Sequence, residues 1–464
     1  MGLTDIFLNL LLFVYPAVFI IYQIILYEIS ARKQINQESL KYSNLPVLSI
    51  IVPIKNEEIS VIQGLLDNLS NLIWDKKKLE IIIVSDDNED YFTKIINTVK
   101  VPKDLTVHFY RREKKLGYKS GALQYGFEKA TGDLILTIDV DSRLPPNALI
   151  NAYEKMQSNT CDAIVFQWNG YSSNQYSTLA KGMVVSTLFA SKALFEGKEK
   201  LKLKIYPVGS GTMFSREALH VVNGWDYRLV QDDLEIGTRL IYNGKNVCSS
   251  GIPIYVEVPD NFYSFYVQQT RWAMGSAEVL RNRLKYIIKS KISFTQRMDL
   301  IIYLLQYTPV IVTFFISTLL SLMLPFRIGH DPLNSPALLF WLVSLGLYAS
   351  LLLSLALKLG LNLKDSLMGI GRLTAFTVSI SPFIVFNFFK GLLKSRNTYV
   401  ITPKGTAKKT NKLLRIIAII GVSGLFYLVS SILYIYEGYY VTGIWLLYYS
   451  SAYLYTMLLY YKEL

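Results

Sequence analysis

The chain has 464 residues, 51 % of them hydrophobic, and carries 48 Lys and Arg against 35 Asp and Glu, a formal charge of +13. A mean hydropathy of +0.29 is high for a wholly soluble protein and points to a chain that is part membrane and part water-exposed. The positive charge clusters beside apolar runs, which favours anionic lipid head groups over nucleic acid as its partner.

Ile6–Tyr27 is almost entirely apolar and long enough, at about 20 residues, to cross a bilayer. No basic stretch precedes it and no small-residue cleavage site follows, so it is expected to be a retained anchor. Ala31-Arg32-Lys33 place its C-terminal end on the cytoplasmic side. Residues 34–298 hold no spanning run and are expected to form a cytoplasmic catalytic domain that ends in interfacial helices. LSIIVPI (48–54), LEIIIVS (79–85), LTVHFYR (105–111) and DLILTID (133–139) read as strands, with helices over Glu57–Leu72 and 116–130 between them. That alternation predicts a three-layer α/β domain on a mostly parallel sheet, with ligands at the C-terminal strand ends.

From residue 299 the chain turns apolar again. Leu300–Pro325, Ala337–Leu357, Leu414–Tyr436 and Val441–Tyr460 read as spans. Residues 367–389 are broken by Gly369, Gly371, Arg372, Ser379, Ser381 and Pro382. The loop 390–412 is strongly basic and belongs on the cytoplasmic side, so parity makes 367–389 an interfacial or re-entrant segment; five spans result, with six as the alternative. Cys161 and Cys248 suggest neither a metal site nor a disulfide framework. The Ile-, Tyr- and Lys-rich composition, with few His and Cys, suits a thermophile.

Three motifs carry chemistry. Asp139 and Asp141 follow a buried strand, and alternation points them the same way. Two hard carboxylates there suit Mg2+ or Mn2+ bound with a diphosphate, although D-x-D also occurs in ordinary solvated turns. Asp232-Asp233 open a helix. Carboxylates there serve as caps, or one of them, Asp233 by preference, acts as a general base. Gln268-x-x-Arg271-Trp272 places an amide, a cation for a leaving diphosphate and an apolar sugar platform on one helix face; a membrane-surface aromatic belt is the plainer reading. Weaker signals are Asp86-Asp87 at a strand end (a nucleobase contact or an Asx turn), Lys119 beside Gly121 near phosphate, and Lys404 in Thr402-Pro403-Lys404-Gly405. Gln306, Tyr307 and the tyrosines Tyr427, Tyr434, Tyr448, Tyr449, Tyr453 and Tyr455 are candidates for lining a sugar path or for helix packing.

The ordered set SIIVPIKNEE, VSDDNED, GYKSGAL, IDVDS, FQW, GSGTMF, QDDLEIGTRL and QQTRW resembles the membrane-bound family-two glycosyltransferases of the cellulose synthase and hyaluronan synthase type. YVITPKG (399–405) is similar to their gating-loop motif. The resemblance implies a GT-A nucleotide-sugar fold. It implies nucleoside contacts from Asn56, Glu57, Asp86 and Asp87, and metal and diphosphate binding by Asp139 and Asp141. Asp233 matches the general base, with Asp232 in place of the usual glutamate. Gln167, Trp168, Gln268, Arg271 and Trp272 match acceptor and diphosphate positions. Lys55 stands where an aromatic is usual, and an expected arginine near Trp168 is missing. The implied activity is an inverting hexosyl transfer from a nucleotide-sugar to a growing β-linked polysaccharide, with or without coupled export, at the plasma membrane. A transferase acting on a lipid or polyprenyl phosphate is the alternative, and a catalytically silent membrane scaffold is the reading from outside enzymology.

Overall fold

The computed structural model describes residues 2–32, 45–323, 330–393 and 411–463. A single long helix, α1 (Leu3–Ser30), opens the chain. The catalytic unit then runs β1 (Leu48–Ile54), α2 (Ile59–Ser70), β2 (Leu79–Ser85), α3 (Glu89–Thr98), β3 (Thr106–Arg111), α4 (Tyr118–Lys129), β4 (Leu134–Thr137) and α5 (Ala148–Ser158). It continues with β5 (Ala163–Tyr171), α6 (Thr178–Ser191), β6 (Thr212–Ser215), α7 (Arg216–Val221), α8 (Asp232–Tyr242) and β7 (Val247–Glu257). The strands form one sheet in the order β3-β2-β1-β4-β6-β5-β7. Only β6 opposes its neighbours; the other pairings are parallel.

Strand periodicity explains the three layers. Ile50 and Val52 of β1 and Ile81 and Ile83 of β2 pack with Ile62, Leu65, Leu66 and Leu69 of α2. The alternate residues Ile51, Ile82 and Val84 face the opposite layer, with Leu123 and Phe127 of α4 and Ile236 and Leu240 of α8. Both faces are covered, which is why the strands read as continuous apolar runs rather than as alternating ones.

One expectation about the domain is overturned. Cys161 and Cys248 are joined in a disulfide, with Cα atoms 6.0 Å apart. The separation of 87 residues concealed the pair. The parallel pairing of β5 with β7 brings the two together, since Ile164 registers with Cys248. Disulfides inside cells are a recognised feature of thermophile proteins.

Beyond the sheet lie α9 (Phe262–Lys289), α10 (Phe294–Leu304), α11 (Thr308–Met323), α12 (Ser335–Lys358), α13 (Leu363–Ser379), α14 (Ser381–Leu393), α15 (Asn411–Tyr436) and α16 (Tyr440–Glu463). Among the described residues three stretches, α1, α12 and the 413–436 part of α15, are long and apolar enough to cross a membrane. Two further spans are possible if each bent pair, α10–α11 (56°) and α13–α14 (55°), counts as one. The span expected from Leu300 is therefore part of a bent helix pair, a broken span or a re-entrant loop. Its break falls at Leu305–Tyr307, just before Pro309, whose missing N–H cannot continue the ladder. The segment expected to be interfacial is the second bent pair, broken next to Ser381-Pro382. The expected span at 441–460 lies in helix α16, whose many tyrosines keep it out of the helices that pass on length and apolarity.

Four of the tyrosines expected to line a path or to pack helices are placed for packing. Tyr427, Tyr434, Tyr449 and Tyr453 are buried in the bundle core. Ser381 Oγ hydrogen-bonds with the Tyr453 and Tyr449 hydroxyls at 2.7 and 3.0 Å, Tyr427 pairs with Thr318 at 2.8 Å, and Tyr434 donates to the Leu320 carbonyl at 2.6 Å. These four pack helices together, whereas Tyr448 and Tyr455 are exposed on the bundle.

Candidate active site

A cavity of about 510 Å³ lies between the C-terminal strand ends and the membrane-side helices. Its wall contains Lys119, Asp139, Asp141, Trp168, Asp232 and Asp233 from the catalytic domain, and Gln268, Arg271 and Trp272 from α9. Motifs scattered through the sequence thus meet in one place.

Asp139 sits past the end of β4. Its carboxylate accepts from Lys119 Nζ at 2.6 Å, and the same ammonium donates to the Gly209 carbonyl at 2.8 Å. The backbone N–H of Asp139 donates to Ser210 Oγ at 2.9 Å, and Ser210 and Ser142 share a 2.7 Å hydrogen bond. Trp168 Nε1 donates to the Ser210 carbonyl at 2.7 Å. Gly209-Ser210 is thus the hub that sets the acids, the lysine and the tryptophan relative to one another. The sequence carried its signal in GSGTMF, but nothing local said what the turn would hold.

Asp232 and Asp233 begin α8. Asp233 is held by the Gly209 N–H at 3.0 Å, Gln231 Nε2 at 2.8 Å and the Leu234 N–H at 2.7 Å. Gln231 in turn packs on Gly275 of α9, where a Cβ would lie 2.5 Å from its Oε1. Burial pushes Asp233 above the ordinary carboxylate range, against the lowering effect of those hydrogen bonds. Asp232 is pushed up to about 7, by burial first; Lys119 opposes the shift, and Asp233 and Asp139 add to it. Helices α8 and α9 are locked by a buried ion pair, Arg283 Nε to Glu235 Oε1 at 2.7 Å, and Arg239 pairs with the same glutamate. The Val230 N–H also donates to Glu278 of α9 at 2.8 Å.

The charge on the wall limits what the cavity can take. Five carboxylates (Asp139, Asp141, Asp232, Asp233 and Glu257) face two cations, Lys119 and Arg271. A diphosphate entering alone would meet net repulsion. A divalent cation reverses that balance, and Asp139 with Asp141 offers the hard oxygen donors it prefers; substrate phosphates and water complete such sites. Among the described residues no three His, Cys, Asp or Glu converge as a self-sufficient metal cage.

Other expected residues lie elsewhere. Gln167 does not line the cavity. Neighbours on a strand face opposite ways, so Trp168 takes the cavity side while Gln167 is buried beside Asn169, its amide 3.4 Å from the Asn169 side-chain oxygen. Asn56, Glu57, Asp86 and Asp87 gather at the ends of β1 and β2, outside the cavity wall. Asp86 is bound through both oxygens by Arg112 at 2.8 and 2.7 Å. Asp87 accepts from the Asn56 N–H at 2.6 Å and from the Ser85 hydroxyl at 2.7 Å. Both acids organise the loop, and a carboxylate still has lone pairs to spare after such contacts. Lys404 and YVITPKG lie outside the described residues. The cavity also recruits Gln23 and Tyr303, with no motif in the sequence to announce them, alongside Gln269 of QQTRW, Gln306 and Tyr307.

A parallel-rich sheet carrying paired acids at its switch point, beside an acid-led helix, defines a GT-A type α/β glycosyltransferase with membrane helices attached. Residues 49–222 match the family described as glycosyl transferase family 2. Over all 464 residues, and the whole of both chains, the sequence is 98 % identical to a "Probable glycosyltransferase" of Sulfolobus acidocaldarius. It is 24 % identical over 281 residues to the beta-monoglucosyldiacylglycerol synthase of Trichormus variabilis, covering 59 % of this chain and 58 % of that one. A mannosyltransferase from Pyrobaculum calidifontis, solved with GDP-Man and Mn2+, superposes with a TM-score of 0.54 at 16 % identity, over 84 % of this chain and 98 % of that one. The chain belongs to glycosyl transferase family 2 and is a glycosyltransferase.

Proposed function

We propose that this enzyme performs an inverting transfer of a sugar from a nucleotide-sugar, a UDP-sugar foremost, to a hydroxyl of a growing β-linked glycan at the membrane. The observation that carries this reading is Asp233. Three donors at 2.7–3.0 Å orient it, in the same cavity as Asp139, Asp141, Arg271 and Trp272. Asp233 accepts the proton of the acceptor hydroxyl, and that oxygen attacks the anomeric carbon from the face opposite the departing nucleoside diphosphate. Arg271 and Lys119 supply positive charge where the diphosphate gathers negative charge. Trp168 and Trp272 offer apolar faces to sugar rings. Asp139 and Asp141 would hold Mg2+ or Mn2+, which when bound neutralises the leaving diphosphate. Asn56, Glu57, Asp86 and Asp87 are assigned to the nucleoside end. The basic residues after α1 and in 390–412 support a catalytic domain on the cytoplasmic face of the cell membrane.

A second reading, glycosylation of a lipid, is favoured by the apolar wall that Val310, Leu373 and Ile384 give the membrane side of the cavity. It is favoured too by the burial of Tyr427, Tyr434, Tyr449 and Tyr453, four of the candidates for an export path. One assay tests both. Purified protein in nanodiscs is supplied with Mg2+ or Mn2+ and radiolabelled UDP- and GDP-sugars, and the product is sized. A glycosidase-sensitive ladder of high mass is expected. A single-sugar, solvent-extractable product moves the assignment to the second reading, and no transfer with any donor rejects both.

A further inference from the structure

The N-terminal helix has more contacts with the catalytic machinery than an anchor needs. Gln23, in the C-terminal third of α1, lines the same cavity as Asp139 and Asp233. Its neighbour Tyr22 donates to Asp299 of α10. Asp299 also receives Lys198 Nζ at 3.1 Å, with both side chains no more than 4 % exposed. The Lys198 ammonium lies 4.6 Å from the ring centre of Tyr303, itself part of the cavity wall. One buried ion pair therefore ties together α1, the segment after α6 and the helix that enters the break at Leu305–Tyr307.

The bracing continues along α1. Tyr27 stacks on Phe189 of α6 at 4.5 Å. Gly197 lies so close that a Cβ there would be 2.2 Å from the Leu26 carbonyl oxygen. Lys200 caps the helix end through the Ser30 carbonyl at 2.6 Å and the Arg32 carbonyl at 2.5 Å. Nearer the other end, the Tyr15 and Thr308 hydroxyls meet at 2.5 Å, beside the break. An anchor requires apolar length alone. A polar amide on such a helix is costly unless it has work to do, and Tyr348 engages Gln23 Oε1 only at a long 3.4 Å.

We propose that α1 is one wall of the acceptor subsite and that Gln23 is a specificity-determining residue that hydrogen-bonds hydroxyls of the acceptor. The Tyr22–Asp299–Lys198 cluster is its positioning device. The neutral amides Gln268, Gln269 and Gln306 share the wall with it. An array of uncharged donors and acceptors matches a polyhydroxylated ligand, so the acceptor end is a sugar ring, whether it terminates a glycan or heads a glycolipid. The proposal rests on the glycosyl transfer proposed above.

The test uses the full chain in nanodiscs, with the nucleotide-sugar that the wild type uses. Soluble oligosaccharides form one acceptor arm and a monohexosyl diacylglycerol the other. Transfer and acceptor-independent donor hydrolysis are both measured. Gln23→Leu, which suits a membrane helix, is expected to raise the acceptor KM about 10-fold, the worth of one good hydrogen bond. The change is expected in the acceptor KM rather than the donor KM, and a far-UV circular dichroism spectrum and thermal midpoint like those of the wild type report an intact fold. Replacing residues 3–30 with an unrelated apolar helix should preserve membrane attachment and abolish transfer to either acceptor. An unchanged acceptor KM in Gln23→Leu, or full transfer by the helix replacement, overturns the subsite alone. A wild type that neither transfers nor hydrolyses any nucleotide-sugar overturns the glycosyl-transfer reading, and the subsite with it.

Discussion

The two halves of the cavity are built by different rules. The sheet-side half, Lys119, Asp139, Asp232 and Asp233, hangs on short loops at strand and helix ends and is wired through the Gly209-Ser210 turn. The membrane-side half, Gln23, Gln269, Tyr303, Gln306 and Tyr307, comes from helices that meet only through long-range packing and a broken helix. The first is dense in charge and the second nearly neutral. On the proposed roles, reaction chemistry and acceptor recognition fall on different halves, and perturbations should sort accordingly.

The largest effect is expected from Asp233→Asn, on the sheet side. Loss of a general base costs about 10²–10⁴ in rate, and nucleoside diphosphate binding measured by calorimetry should be preserved. Transfer near the wild-type rate would reject Asp233 as the base, and the same experiment on Asp232→Asn would then decide between the neighbours.

Next comes the link between the halves. Glu235→Gln leaves Arg283 and Arg239 facing a neutral partner in a buried place, a change that costs about 3–5 kcal/mol when a buried pair is broken. The midpoint of thermal unfolding should fall clearly. An unchanged midpoint would mean that α8 and α9 are held by their apolar contacts instead.

Acidity separates the halves again. Burial raises both Asp232 and Asp233 above the ordinary value of 3.8, Asp232 to about 7. Transfer should therefore decline as pH falls through a limb well above 3.8, because the base must be ionised. Stability carries the opposite sign. The folded state binds these protons more tightly than the unfolded chain, so the pair's contribution is greatest below 3.8 and is lost as pH rises toward the raised values. A pH–rate profile with no limb above the usual carboxylate range would contradict the burial argument.

The smallest effect is expected away from both halves. Tyr449→Phe removes one hydrogen bond to Ser381 in the bundle core, worth about 1 kcal/mol, and should leave transfer unaltered. A change in product length would restore the tyrosines to a sugar path.

The contrast follows what a sequence can express. The sheet was legible because strand burial on two faces writes itself as runs such as LSIIVPI and LEIIIVS, which became β1 and β2 at their expected bounds. The acids were legible because binding a diphosphate and deprotonating a hydroxyl demand particular side chains at particular strand and helix ends. Asp139, Asp141, Asp232, Asp233, Gln268, Arg271 and Trp272 all reach the cavity. Gln167 did not, because a strand sends adjacent side chains to opposite faces and a motif does not say which face is inside. Cys161 and Cys248 met only through the pairing of β5 with β7. The tyrosines of the last helices could pack or line by composition alone, and only neighbours such as Ser381 and Thr318 decided for packing. Gln23 carried no signal in the sequence, and its place on the cavity wall depends on how α1 packs through Tyr22, Asp299 and Lys198. Local chemistry is written in consecutive residues, whereas which surfaces close over a cavity depends on contacts between segments far apart in the chain.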